Sequence, residues 1–416
     1  MAEASAGGIA WEPPVEVASG DAWQGPWRMN ESDFRYVDDP SVAANDAIAV
    51  AWVDQARKDV MLTVFEADGS PRFGDGAVNV SRSPDVFSWL PRVVFGDDHA
   101  VYVLWQEILF TGGSHGGEIL FARSEDGGHT FADPVNLSQS TAGAGKGRLT
   151  TEHWHNGSLD LARAFEGTLY AAWTEYEGGL WVAASTDNGK QFSAPVEVVP
   201  TGSDAPARGP TLAVTDEGVV LLSWTVGEDP TADIHLARST DRGQSFSDPQ
   251  RVHVSPGHAD APTLAVDGNG RVHLAWSYRD PGAPRQGRIA LAHSDDDGRS
   301  FSGVQLLDHG NDVPHGAAFP SLTAGDSGVH VIAERIHDAG QGFQGLLHAW
   351  AADDETFTEL RNLTGTDEAP SGGRQGLLMR KLALHTDGRI FAVHSTFEQG
   401  RRSRVYLLAG QLENDT

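Results

Sequence analysis

One phrase recurs through this chain, and a recurrence of fixed period constrains a fold more tightly than any other sequence feature. An apolar strand entered through Pro or a small residue leads to an Asp/Gly turn. An alternating strand ending near Trp follows, then a third strand, then a turn carrying Ser, Asp, Gly and Phe. The second-strand landmark falls at Trp52, Trp105, Trp173, Trp224 and Trp276. Two further copies keep the pattern without the Trp, at Val331-Ile332-Ala333-Glu334 and Phe391-Ala392-Val393-His394. The steps are roughly 50 residues, the size of a four-stranded propeller blade. One wider step, between Trp105 and Trp173, is accounted for by a Gly/Ser/Thr-rich insertion between Asn136 and Glu152 that reads as a surface loop.

These units predict an all-β, seven-bladed β-propeller with four-stranded blades, the alternative being a six-bladed ring with one unit outside it. The last unit shows only three strands, whereas Trp11 to Val17 resembles the outer strands elsewhere, such as Pro195 to Val199. The N-terminal segment is therefore expected to close the last blade, pairing edges that would otherwise stay open. A single domain over 9–412 with flexible termini at 1–8 and 413–416 follows. The 48 Gly and 21 Pro suit many tight turns.

The turn carries a family resemblance. Ser124-Glu125-Asp126-Gly127-Gly128-His129-Thr130-Phe131 recurs at Ser185 to Phe192, at Ser239 to Phe246 and at Ser294 to Phe301. Remnants stand at Asp68-Gly69 with Phe73 and at Asp353-Asp354 with Phe357. The sequence thereby resembles the sialidase-like, Asp-box (BNR-repeat) propellers. Physically the box is a turn device: Ser and Asp side chains cap backbone N–H groups, Gly takes the positive φ, and Phe tucks between sheets.

The box joins strands three and four, so it shares a ring end with the turn between strands one and two. A site belongs at the opposite end, where the segments leading into each inner strand meet the loops after each second strand. Those loops bring the candidate substrate-binding residues Arg35, Arg92, Arg208, Arg335, Arg374, His258 and His315. Candidate catalytic residues are His155, Glu175, Tyr176 and Glu334. Arg forks hold carboxylates or sulfates, His and Tyr move protons, and carboxylates act as acid, base or nucleophile. His153 and His155, at i and i+2 of an extended segment, point the same way; with His258 and His315 they raise the alternative of a His-bound metalloenzyme. The main expectation includes no metal and no cofactor.

Sialidases imply an Arg-Ile-Pro motif, an Arg triad and a late Tyr nucleophile. Here the nearest match to the motif is Leu90-Pro91-Arg92, and the last Tyr, Tyr406, lies in a predicted strand. Seven-bladed relatives in the same broad group include glycoside hydrolases and polysaccharide lyases of uronic-acid polymers, the latter using His, Tyr and Arg. The resemblance implies a carbohydrate-active enzyme that cleaves a glycosidic linkage in a polar or acidic glycan, as a glycoside hydrolase. Alternatives are a polysaccharide lyase and a non-catalytic glycan- or protein-binding propeller.

Charge narrows the partners. With 30 Lys and Arg against 58 Asp and Glu, the net charge of −28 disfavours nucleic acid and anionic membrane surfaces. No Cys occurs, which excludes disulfides, thiolate catalysis and Cys-ligated metals. No apolar run approaches membrane-spanning length and the first eight residues lack a leader pattern, so no membrane insertion is expected. A monomer is expected, in a secreted or periplasmic setting, although localisation is open.

Overall fold

The computed structural model describes residues 8–28, 30–74, 76–109, 117–139, 158–175, 178–252, 256–310, 313–338, 342–352, 356–373 and 380–413. Seven antiparallel sheets stand radially around one axis. Six are continuous in sequence, covering 37–79, 88–136, 159–199, 207–251, 258–306 and 317–362, each with its first strand innermost and its fourth outermost. The seventh is built from Leu382–Leu384, Ile390–Glu398 and Arg402–Leu412. Its outer edge is completed from the other end of the chain: Ile9–Trp11 and Val15–Gly20 both pair antiparallel with Arg402–Leu412. This is the closure expected from the outer-strand likeness of Trp11 to Val17, and the seven-bladed reading replaces the six-bladed alternative. A two-stranded ribbon, Trp23–Gln24 with Phe34–Arg35, stands outside the blades.

The core lies in the seams between blades, because each sheet is apolar on both faces. Trp105, Trp173, Trp224 and Trp276 each pack into the cluster shared with the preceding blade, and Trp52 packs against blade 7. Apart from Trp52, which is 4% exposed, these rings are essentially fully buried. Truncating such a ring costs about 3–5 kcal/mol. Ala333 and His394 occupy the same position in blades 6 and 7, so the two seams after blade 5 lack the indole that fills the others.

A second repeated device sits on the inner strands. Asp39, Leu90, Gly209, Ala261 and Phe319 each take a positive φ of 51–61° directly before Pro40, Pro91, Pro210, Pro262 and Pro320. The strand register slips at each of these points, which marks a bulge. The amide freed by the bulge is bonded across the seam: Gly209 N donates to Ser158 Oγ (2.7 Å), Ala261 N to Thr225 Oγ1 (3.1 Å) and Phe319 N to Ser277 Oγ (2.7 Å). Hydroxyls thereby stitch blades 3 to 4, 4 to 5 and 5 to 6 near the axis.

The four box turns form alike. Ser124 Oγ donates to Asp126 Oδ1 (2.7 Å) and accepts from Gly128 N (2.9 Å), while Asp126 Oδ1 accepts from Thr130 N (2.9 Å). The same bonds recur around Asp187, Asp241 and Asp296. Phe131, Phe246 and Phe301 pack into the seams on the preceding blades.

Candidate functional site

The box turns and the turns between first and second strands share one ring end. The other end, here the loop face, collects the lead-in segments and the loops after each second strand. Just inside this face, side chains cross the axis. Asp160, on the inner strand of blade 3, accepts Arg380 Nε (2.7 Å) and Nη2 (2.6 Å) from the start of blade 7. It also accepts Leu212 N (2.7 Å) from blade 4. Arg92 of blade 2 approaches the same carboxylate at 3.6 Å. Burial lowers the Arg92 guanidinium to about 10, and Arg380 beside it acts the same way, while Asp160 opposes both. Two cations therefore converge on one carboxylate in a Pro-walled throat lined by Pro210, Pro262 and Pro320.

The seam between blades 6 and 7 holds a second buried polar group. Where an indole would lie, His394 is fully buried, facing Glu334 and Lys381 and lying near the Thr366 backbone. Lys381 Nζ pairs with Glu334 Oε1. Burial pushes the imidazole down to about 4, and the Lys381 charge adds to that despite the opposing pull of Glu334. Asp38 of blade 1 takes Ser395 Oγ (2.7 Å) and Gly373 N (2.8 Å) next to it. These groups are locked to one another and brace the ring.

A further group of residues lies where blades 3 and 4 meet at the loop face. Glu175 ends the second strand of blade 3 in a tight turn in which Gly178 N donates to Glu175 O (3.0 Å) and Glu175 N to Gly179 O (2.8 Å). That turn lies directly on blade 4's lead-in segment: a β-carbon on Gly178 would sit 2.2 Å from Pro206 Cβ. Two residues beyond Pro206 stands Arg208. Its Nε and one terminal nitrogen are shielded from solvent, yet no hydrogen-bond partner meets them among the described residues. Burial raises the Glu175 carboxyl to about 7, and the nearby carboxylates Glu118 and Glu197 push the same way against the indole of Trp181. A carboxyl that is half protonated at neutral pH thus stands on the turn that packs against the lead-in segment of an arginine whose two shielded nitrogens meet no partner among the described residues. Such a pair can protonate a leaving oxygen and hold an anion.

The other expected residues are distributed as follows. Arg35 is on the outlying ribbon, paired with Asp33 (3.1 Å) and stacked over Trp23. Arg92 is buried in the throat and Glu334 in the seam of blades 6 and 7, both engaged with protein charges. Arg335 leans on Asp367 (3.5 Å). His258 is buried, its Nε2 3.0 Å from Asp260 Oδ2. His315 uses its carbonyl to accept Gly287 N (3.1 Å) between blades 5 and 6. His153, His155, Tyr176 and Arg374 lie outside the described residues. Among the described residues no group of three or more His, Asp or Glu is arranged to hold a metal ion. Sequence reading missed Asp160, Arg380 and Lys381. A signal existed: Arg380 and Lys381 stand where the sibling strands carry Pro and then, in most, Ser or Thr.

No protein-family model matches this sequence, and no curated protein matches it. Solved structures do resemble it. An ulvan lyase of polysaccharide lyase family PL25 matches at TM-score 0.59 and 12% identity, over 95% of each chain. The polysaccharide lyase Uly1 matches at TM-score 0.57 and 10% identity, over 97% of this chain and all of that one. The GH93 α-L-arabinofuranosidase of Fusarium graminearum, in complex with arabinobiose, matches at TM-score 0.50 and 14% identity, over 79% of this chain and 94% of its own. At such identities the likeness establishes the propeller fold and nothing finer.

Proposed function

We propose that this propeller cleaves glycosidic bonds in an acidic polysaccharide at its loop face, with Arg208 holding an anionic substituent and Glu175 delivering a proton to the departing oxygen. The observation that carries this reading is the packing of the Glu175 turn on the lead-in segment of Arg208, with the carboxyl titrating at about 7 and two Arg208 nitrogens meeting no partner among the described residues. In a chain of net charge −28, a shielded arginine with donors unmet among the described residues suits a specific anion receptor rather than part of a basic field. Hydrolysis is the principal reading: the glycosidic C–O bond breaks, the leaving oxygen takes the Glu175 proton, and water adds to the anomeric carbon. Elimination is the second reading. It is favoured by the two lyases that match almost end to end, one of them solved with a glucuronate and sulfated-rhamnose glycan. There a solvent base takes the proton from the ring carbon next to the uronate carboxylate, the C–H electrons form the double bond, and the C–O bond breaks as the same oxygen leaves with the Glu175 proton.

The test is turnover of a panel of acidic and neutral polysaccharides by pure protein, in water enriched in oxygen-18. Hydrolysis puts the label into a reducing end, whereas elimination leaves an ultraviolet-absorbing unsaturated uronate. Glu175→Gln should lower kcat by about 10²–10³-fold in either case, and Arg208→Met should act mainly on KM for charged substrates. No turnover across the panel, or full rate from Glu175→Gln, defeats the reading.

A further inference from the structure

On the loop face between blades 5 and 6 lies an open cleft away from the throat. Its floor is Phe319, Phe343 and Ile336, with the two phenylalanine rings edge to face at 5.4 Å. Tyr278 flanks it, held by a bond from its hydroxyl to Pro256 O (3.1 Å). Arg279 and Arg285 stand on the rim. The cleft opens at the seam where Ala333 replaces the indole.

Two features mark it as built for a ligand. Phe319 places an aromatic ring at the positive-φ bulge shared by five blades, here at 54°, and lays it on the cleft floor. Equivalent bulge positions carry Asp39, Leu90, Gly209 and Ala261, so the fold does not require a ring there. The second feature is charge. Asp260 also lines the cleft but is engaged by His258 (3.0 Å), and Arg279 is anchored by Asp229 (3.1 Å), whereas exposed Arg285 has no ion-pair partner among the described residues. An apolar aromatic floor under a cationic rim matches a pyranose ring that stacks by its C–H face and bears an anionic group.

We infer that this cleft is a second glycan subsite, binding a sugar unit that carries a carboxylate or a sulfate at a distance from the bond being cut. The inference rests on the proposed function, because the ligand is taken to be part of the same polymer.

Binding is measured by affinity electrophoresis of the Glu175→Gln protein through gels containing polygalacturonate (carboxylate only), dextran sulfate (sulfate only) or neutral dextran. Phe319→Gly removes the ring and relieves the backbone, so it should fold; Arg285→Ala changes an exposed side chain. Each should weaken retardation by at least one charged polymer about tenfold, the scale of one lost charge-assisted contact, with neutral dextran inert throughout. The polymer affected identifies carboxylate or sulfate. Undiminished retardation in both variants overturns the subsite, and so does equal retardation by dextran. Cleavage by the unaltered protein is scored separately: failure there with the cleft result intact rejects the function and keeps an anionic-glycan site.

Discussion

Asp160→Asn isolates the charge at the axis with almost no change of shape. Asp160 is 2% exposed and accepts three hydrogen bonds of 2.6–2.7 Å from Arg380 and Leu212, with Arg92 at 3.6 Å. Asparagine keeps one acceptor, but its amide turns two N–H donors toward guanidinium and backbone donors; Arg380 loses the carboxylate it is bonded to, and Arg92 keeps only the weaker pull of Asp39. Removing one partner of a buried pair costs about 3–5 kcal/mol. At about 2 cal/mol/K per residue, this length gives an unfolding entropy near 0.9 kcal/mol/K, so the melting temperature should fall by roughly 3–6 °C. Differential scanning calorimetry with urea titration measures both quantities. Asp160→Asn/Arg380→Met should recover part of the loss, because the double variant strands one cation fewer. A single-variant loss below about 1 kcal/mol, or a double variant worse than the sum, would refute the view that Asp160 pins blades 3, 4 and 7 by charge.

Asp187→Ala removes one box cap and should cost about 1 kcal/mol by urea titration while leaving ligand binding at the loop face intact. In glycan turnover, activity should decline as pH rises through about 7, where Glu175 gives up its proton, and Glu175→Gln should erase that limb of the profile. Stability should be acid-sensitive through the stacked pair His330 and His348, which burial lowers to about 4 and about 3. Both are neutral in either state above pH 6.5. Below it the unfolded chain takes up protons that the folded chain refuses, so stability falls from about pH 6.5 to pH 4, on the order of 3 kcal/mol for His330 alone. His330→Phe should flatten that slope in pH-dependent denaturation.

The ring was legible because its signals are local and repeated. Trp landmarks, Ser-Asp-Gly turns and the orphan outer strand at Trp11 to Val17 each need only a few neighbouring residues to be read. The loop face was legible as a region but not as a site. Arg92, Arg335 and Glu334 have the right chemistry in the right loops, yet Asp160, Asp367 and Lys381 hold them, and those partners come from other blades. Arg92 follows its bulge proline whereas Arg208 precedes Pro210 by two residues, and the weight of that offset shows only once the bulge and the carboxylates the ring brings near are known. Phe319 was hidden for another reason, because a phenylalanine before Pro reads as ordinary strand until its φ is known.

The joining of Ile9–Trp11 and Val15–Gly20 to Arg402–Leu412 bears on how this protein is made. During synthesis the first twenty residues emerge with no strand to pair with, and wait until nearly the whole polypeptide has left the ribosome. Until then blade 7 is missing, blade 1 has an uncovered face, and the nascent array is an open arc. Contacts spanning almost the full chain form slowly, and an eleven-residue strand left without its partner can template assembly between molecules. The seam is therefore where delayed folding would turn into aggregation, and a tag that obstructs residues 9–20 should lower soluble yield more than one placed on any box turn.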